Sequence, residues 1–476
     1  MSAIRFAAPG GGTREVPEST LEAFVEGLAG RAVKRDDPDY DVVRSIWNGM
    51  IDTRPSLIVR CAGPADVVRC VNLARDEGLL LSVRGGGHNI AGSSLCEDGL
   101  TIDLSTLRAV DVNPDASAVR VEPGATLGDL DAATAEHGLA VPVGINSTTG
   151  VAGLTLGGGF GWLTRRLGLT VDNLVSADVV TADGRIVTCD SKQHPDLFWA
   201  LRGGGGNFGV VTSFSFRAHE VGPELLCGLV VHRFEEARKV VKFYREFSGA
   251  EPESLSTWMV LRHAPPLPFL PEEIHGRMVV VLAFVYSGDP GDGERAVREL
   301  REWGAPAGEH VGAMPFAAFQ QAFDPLLTPG ARNYWKSHNF AGLTDAALDQ
   351  VLDYAGRLPS AESEIFLAHL GGAGSRPDVD AMAYPHRDAE YVMNVHTRWQ
   401  DPAADAACIA WAREFWHATA AEAEAGVYGN FVSDAKDEAQ VRASYGGNYE
   451  RLAEIKRRYD PGNLFRTNLN VRPASS

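Results

Sequence analysis

The chain has no paired cysteines. Its six, Cys61, Cys70, Cys96, Cys189, Cys227 and Cys408, are scattered, with no Cys-x-x-Cys among them. This excludes zinc ribbons and thioredoxin-type redox motifs and makes buried free thiols the default. Positive charge is in deficit: 44 Lys and Arg face 62 Asp and Glu, a net charge of -18. Such a surface repels phosphate backbones and anionic membranes, so neither nucleic acid nor a membrane is an expected partner. The longest apolar run, near Met278–Tyr286, is too short to span a bilayer, and the first residues lack the apolar stretch of a secretion signal. A cytoplasmic location is the expectation. No two side chains stand at metal-ligand spacing, no Gly-Lys-Ser/Thr marks a P-loop, and internal repeats are absent.

The 476 residues, 45% hydrophobic and 22% charged, suit two or three globular domains. Ser19–Gly30 reads as a short helix, with Ser19 and Glu22 as a capping box. From about Pro55 strands and helices alternate. Leu57–Val59 and Leu79–Val83 are expected strands around a helix over Pro64–Glu77; Leu100–Leu104 and Ala118–Val121 are further strands, and Asp131–His137 is helical. Asp183-Gly184 between two β-branched runs predicts a hairpin over Asp178–Val187. A strand over Val210–Phe216 closes this α+β region near residue 222. From 223 to 424, extended runs (Cys227–Val231, Met278–Phe284, Ile365–Leu370, Tyr391–His396) alternate with amphipathic helices over Phe234–Phe247 and Asp292–Trp303. That pattern suits an antiparallel sheet covered by helices on one face. His263–Pro271, with four prolines, reads as a surface excursion. In residues 425–476, Asn448 is placed to cap a helix carrying Leu452, Ile455 and Tyr459.

Glycine is abundant where chemistry needs it. Residues 84–88, Arg-Gly-Gly-Gly-His, follow an expected strand; Gly150–Gly161 and Arg202–Gly209 are two more glycine runs. Loops without Cβ atoms bring backbone amides close to a ligand, and successive N–H groups form an anion nest suited to a pyrophosphate. His88 adds a nucleophilic imidazole. A nicotinamide Rossmann site wants one Gly-x-Gly-x-x-Gly opening a helix, and the loop at 84–88 leads instead into Asn89–Leu95 and another strand. A flavin adenine dinucleotide (FAD) in a long groove suits three loops better.

Four segments carry a family resemblance. They are Ser82–His88; Gly150–Gly161 with Leu169–Asn173; Phe198–Leu201 with the third glycine run; and Tyr445–Asn470. Together they reach from about 55 to 470. The chain resembles the FAD-linked oxidases of the vanillyl-alcohol-oxidase fold (the PCMH-type FAD-binding superfamily), specifically the berberine-bridge-enzyme-like group. The resemblance implies a two-domain α+β fold. Its FAD-binding domain would be 1–222, with a core of about 53–222, completed by 425–476. A substrate-binding domain at 223–424 would cover the flavin ring. It further implies covalent FAD, joined from His88 to the 8α-methyl. Relatives with a second linkage carry a cysteine where this chain has Asn146, so a single linkage is expected. The cofactor-binding residues so implied are Arg84, Gly85, Gly86, Gly87, His88, Asn89, Thr149, Gly150, Gly153, Gly157, Gly158, Gly159, Asn173, Gly209, Val211 and Asn430.

Thr149 falls where the family has a small residue beside the reactive edge of the ring. It is near-isosteric with valine but carries a hydroxyl, which points to reaction with O2; a packing threonine bonded to backbone is the alternative. The family's Tyr-x-Asn motif matches Val427–Phe431, so the resemblance makes Tyr428 the expected base or proton relay, with Asn430 orienting the flavin or the tyrosine. A phenol of ordinary pKa about 10 needs help to serve as a base. Tyr445 reads as a packing element. Tyr334–Ser337, His369, His386 and His396 are further candidates for the pocket, with His369 and Phe366 on opposite faces of their strand. The expected activity is removal of hydride from a C–H beside O or N of a small alcohol, sugar or amine, with O2 as acceptor and H2O2 as product. A dehydrogenase with another acceptor, and a flavin-binding protein without turnover, are the alternatives.

Overall fold

A computed structural model describes residues 3–423, 426–434 and 438–475. The boundary expected between 424 and 425 lies outside the described residues. Pro64 opens a helix over Pro64–Glu77 and Gly78, in the left-handed region at φ 65°, ends it, as a first-turn proline and a terminal glycine dictate. This helix crosses over a four-stranded sheet ordered Arg31–Lys34, Leu57–Arg60, Leu100–Asp103, Leu81–Arg84. The last three strands run parallel. Leu81–Arg84 therefore delivers the first glycine run at its carboxyl end, where open α/β sheets bind ligands.

A second, antiparallel sheet is ordered Ile186–Asp190, Leu174–Val180, Val210–Arg217, Ala118–Val121, Val110–Asn113. The expected hairpin is there, with Val179 opposite Val187. The helix Tyr449–Tyr459 joins the core of this sheet through Leu452, Ala453 and Ile455, which brings the chain's end back to its first half.

A third sheet has seven antiparallel strands, ordered Gly308–Met314, Leu225–Arg233, Met278–Tyr286, Leu255–His263, Glu364–His369, Tyr391–Trp399, Arg332–Phe340. Period-two alternation divides its side chains. Ile365, Leu367, Met393 and Val395 pack beneath the helices Ala237–Ser248, Asp345–Ala355 and Asp405–Thr419. Trp258, Phe366, Ala368 and Val392 face the other way, against Phe160, Tyr384 and Tyr428. The α+β class and the sheet covered by helices are as expected.

Several local readings differ. The first helix is Glu18–Glu26 with Pro17 at its N-cap, so Ser19 lies inside it and caps nothing: the strand Thr13–Pro17 runs directly into the helix. Thr126 and Asp129 form the capping box instead, starting a helix over Leu127–Ala135. Asn448 precedes the last helix without a side-chain cap; its Nδ2 donates to the carbonyls of Val379 and Met382. The expected helix over Asp292–Trp303 is two short ones, Pro290–Ala296 and Arg298–Glu302, broken at Val297.

Candidate active site

The three glycine runs meet. A Cβ on Gly86 would lie 2.5 Å from Gly150 Cα, and one on Gly150 would lie 2.6 Å from Gly86 N. No side chain fits at either position, so the first and second runs pack backbone to backbone. The third run enters at Gly205, whose N–H donates to Leu156 O. Around this junction lies a cavity of about 370 Å³, walled by all three runs, by the central sheet and by the C-terminal segment Phe465–Leu469.

Most expected site residues line it. Gly85, Gly86, Gly87, His88, Asn89, Thr149, Gly150, Gly153, Gly157, Gly209, Val211, Tyr428 and Asn430 all face the cavity. Four do not. Arg84 turns its guanidinium to Val43 O and toward Asp103, beneath the loop. Asn173 closes a turn, donating to Leu167 O and Leu169 O. Gly158 packs under Tyr384, and Gly159 donates its N–H to Tyr428 Oη at 3.1 Å.

His88 stacks on Trp47, ring centroids 4.2 Å apart. Removal from water, with Arg398 and His396 adding positive charge nearby, lowers its pKa to about 3, so the imidazole is neutral. Asn146 points Nδ2 at His88 Nε2 from 3.5 Å.

Tyr428 is buried, its ring set edge-on between Phe160 and Phe431. Its oxygen accepts from Gly159 N–H and from Asn430 Nδ2, the latter at 2.8 Å. Burial pushes the hydroxyl up to about 12, against the pull of those two donors. Two donors aimed at one phenol oxygen form a small oxyanion hole, which favours the phenolate once the proton leaves.

The central sheet supplies Trp258, Glu364, Phe366, Asn394 and His396, with Trp335 beside them. Glu364 was not singled out from the sequence; its signal is a carboxylate opening a strand whose alternate residues are apolar. Its Oε2 accepts from Arg262 Nη1 at 2.7 Å and its Oε1 faces His396 Nδ1 at 3.1 Å. Of the other candidates, His386 lines the cavity. Lys336 pairs with Asp434 outside it, as does Tyr334 through its hydroxyl. His369 points away from Phe366, as alternation requires. It joins a buried network in which Arg165 Nη1 meets its Nε2 at 3.0 Å and Glu251 Oε1 meets its Nδ1 at 2.6 Å. Tyr445, read from the sequence as a packing element, bonds Gly204 O and Leu469 O and packs in the core of the second sheet, and it also lines the cavity.

Residues 55–190 match the family model described as FAD binding domain, and 427–472 match that described as berberine and berberine like. The (R)-6-hydroxynicotine oxidase of Paenarthrobacter nicotinovorans is 30% identical over 94% of this chain and 98% of its own. An FAD-linked oxidoreductase of Bacillus subtilis is likewise 30% identical, over 94% and 97%. Among solved structures, 6-hydroxy-D-nicotine oxidase from Arthrobacter nicotinovorans superposes with a TM-score of 0.82 at 27% identity, covering 94% of this chain and 99% of that one. The xylooligosaccharide oxidase of Myceliophthora thermophila gives 0.84 at 25%, covering 96% and 100%. The chain belongs to the berberine-bridge-enzyme-like FAD-linked oxidoreductases.

The cavity fits the cofactor of that family. It is walled in part by glycine backbone, where Cβ atoms on Gly86 and Gly150 would collide with the facing run. Ser94 Oγ, Trp258 Nε1, Trp335 Nε1, Tyr384 Oη, Asn394 Oδ1 and Asn468 Oδ1 all belong to residues that line it. These atoms are buried and lack hydrogen-bond partners among the described residues. Buried polar atoms without partners are costly, and a polar, polyfunctional molecule in the groove would satisfy them. No helix among the described residues is long and apolar enough to cross a membrane.

Proposed function

We propose that this FAD-linked oxidoreductase is an oxidase for a small alcohol, sugar or amine, with its flavin attached through His88 alone. When bound, FAD supplies the two-electron chemistry: acceptance of hydride from a C–H beside O or N, and delivery of electrons to O2 with release of H2O2. In this reading residues 1–222 and 425–476 hold the cofactor, and 223–424 form the substrate side. The observation that carries it is the presence, in one cavity, of a neutral His88 and of a phenol whose oxygen receives two hydrogen bonds.

Within that cavity the backbone of Gly85–Gly87 and of Gly150–Gly157 would hold the cofactor, and Asn430 orients Tyr428. Tyr428, as a phenolate whose charge is held by Gly159 N–H and Asn430 Nδ2 and whose own proton has passed to solvent, accepts the heteroatom proton of the substrate and becomes the neutral phenol. Trp258, Trp335, Phe366 and Phe431 form apolar walls, which favour a planar or apolar body over an extended sugar chain. The named relatives span both kinds, a hydroxynicotine and a xylooligosaccharide. Six buried free thiols suit a reducing, cytoplasmic setting.

The test is direct. Acid-precipitated protein should stay yellow and fluoresce on a denaturing gel. A panel including 6-hydroxy-D-nicotine, xylobiose and simple alcohols and amines should then bleach the flavin anaerobically, with H2O2 formed in air. Bleaching without H2O2 would replace the oxidase by a dehydrogenase, and Thr149→Leu, which crowds the cavity wall, should slow reoxidation by O2. No bleaching with any compound would favour a flavin-binding protein without turnover.

A further inference from the structure

We infer that Asp131 and Gln320 are positioning residues for one wall of the cavity, joined as a carboxylic acid–amide pair that closes only while Asp131 carries a proton. The pair acts on the wall itself and depends neither on how the flavin is held nor on which substrate is oxidised.

The strands Gly308–Met314 and Arg332–Phe340 are opposite edges of the seven-stranded sheet, so the chain between them must pass from one edge to the other. It does so as a strap that includes the helix Phe316–Gln321 and is fastened beside the cavity. Gln320 Nε2 donates to Gly144 O at 2.7 Å. Ser147 N–H donates to Asp324 Oδ1 at 3.1 Å, and Ser147 Oγ to the other oxygen of that carboxylate. Leu327 O accepts from Trp47 Nε1 at 2.9 Å. Gly144, Ile145, Asn146 and Leu327 all line the cavity, so the seating of the strap sets the place of that wall.

Asp131, on the helix Leu127–Ala135, meets the strap at Gln320; the two are 3% and 1% exposed. Gln320 Nε2 donates to Asp131 Oδ2 at 3.2 Å as well as to Gly144 O, and the second bond fixes which end of the amide is nitrogen. Both amide hydrogens are then used. Two buried oxygens, Asp131 Oδ1 and Gln320 Oε1, have no partner among the described residues. Both are acceptors, and an ionised Asp131 gives neither a hydrogen. A protonated carboxyl is a donor: an Oδ1–H bonded to Gln320 Oε1 closes a ring of two hydrogen bonds and satisfies both orphans at once. A cavity of about 30 Å³ adjoins Asp131, with Thr134, Val221, Pro315 and Phe316 among its walls, room for a water. Gln320 is not among those walls, so a water there would serve Asp131 and leave Gln320 Oε1 bare.

Burial favours the proton too, pushing the Asp131 carboxyl up to about 7 against the pull of Gln320. The helix Phe316–Gln321 and the strand Leu139–Ala140, which pack near it, carry no charge. The titratable groups of the remaining neighbours are Asp111 on Val110–Asn113, His219 and Glu220 on the strand paired with Leu139–Ala140, and Asp129, Glu136 and His137 around Asp131's own helix. Only burial and Gln320 act on the carboxyl. With the strap lifted, Asp131 is an ordinary aspartate of pKa about 3.9, so seating the strap takes up a proton from solvent between about pH 3.9 and 7. Seating is strongest in acid, weakens as pH rises through that window and levels out above 7.

Hydrogen exchange of the full-length protein, purified with its flavin, tests this through protection factors for residues 144–147 and 316–327, with the strand Met278–Tyr286 as reference. In wild type, protection of the two segments relative to the strand should fall about tenfold from pH 5 to 6 and level out above pH 7. Asp131→Asn supplies a permanent N–H in place of the proton, so its protection should be level from pH 5 to 8. Asp131→Ala should lower protection at every pH, without a slope. An infrared difference spectrum, wild type minus Asp131→Asn, should show a protonated carboxyl at pH 5.5 that is gone by pH 9. Level protection in wild type, a slope retained by Asp131→Asn, or no carboxyl in the difference spectrum each overturns the inference. If Asp131→Ala does not fold, wild type and Asp131→Asn decide alone. Neither readout uses turnover or the flavin linkage, so a failure of the oxidase reading leaves both standing.

Discussion

Glu364 Oε1 lies 3.1 Å from His396 Nδ1, while the carboxylate's other oxygen accepts from Arg262 Nη1 at 2.7 Å. The carboxylate lines the cavity yet is buried. Burial alone raises its pKa, but Arg262 and His396 outweigh that and bring it down to about 2. Its folded value thus lies below the unfolded one of about 4.3. The stabilisation is complete above that value and is lost as pH falls from about 4.3 toward 2. Glu364→Gln should therefore cost about 3 kcal/mol at pH 7 and flatten the acid limb of the stability curve. Urea unfolding followed by tryptophan fluorescence at pH 7 and pH 3 measures both effects; equal losses at the two pH values would contradict the pairing.

Tyr428→Phe retains the ring between Phe160 and Phe431 and removes only the hydroxyl. Gly159 N–H and Asn430 Nδ2 then lose their shared acceptor. Anaerobic flavin reduction by a substrate found in the panel should slow by about 10²–10⁴-fold, the usual range for a lost acid–base group. Flavin content should be unchanged. Full activity in this variant would remove Tyr428 from the proton path.

Gly86→Ala places a methyl 2.5 Å from Gly150 Cα. Backbone on both sides leaves no flexible side chain to move, so the two loops must part. The expected result is a loss of about 1–3 kcal/mol from overpacking together with a protein that purifies with little flavin. Absorbance at the flavin band against total protein reads the second effect independently of melting. Gly312→Ala, on the edge strand Gly308–Met314 away from the cavity, is the control, since a Cβ there meets nothing within 4 Å.

Lys456 is fully buried, its Nζ donating to Asp460 Oδ2, Asn207 O and Phe465 O at 2.6, 2.6 and 2.7 Å. Lys456→Met strands the Asp460 carboxylate and leaves the Asn207 and Phe465 carbonyls without their donor. A loss of about 3–5 kcal/mol is expected for one half of a buried pair, seen as a lower melting temperature. Because Asn207 lies within the third glycine run, flavin release on mild heating should occur earlier too.

Much of this architecture is written in local signals. Pro64 and Gly78 delimit one helix at both ends, and Asp183-Gly184 marks a hairpin between Val180 and Ile186. The cofactor cradle was legible because glycine runs are rare enough to be noticed singly. The substrate side was harder. Arg332–Phe340 is a buried strand made of Arg, Asn, Tyr, Trp, Lys, Ser, His, Asn and Phe, whose polar residues are satisfied by distant partners. The half-exposed edge strand Gly308–Met314 lacks an apolar alternation. Glu364 becomes meaningful only beside Arg262 and His396, 102 and 32 residues away. Such pairings follow from sheet register, which no local pattern encodes. Ser19 and Glu22 satisfied the capping-box spacing, but the preceding strand reaches Pro17 and the helix starts there.

The cavity takes its walls from Gly85–Asn89 and from Phe465–Leu469, segments far apart in the chain. Synthesis must therefore pass residue 465 before the walls of this pocket can meet. A ligand that needs both walls can be held only after that point, and a nascent chain cut short of it should retain little of one.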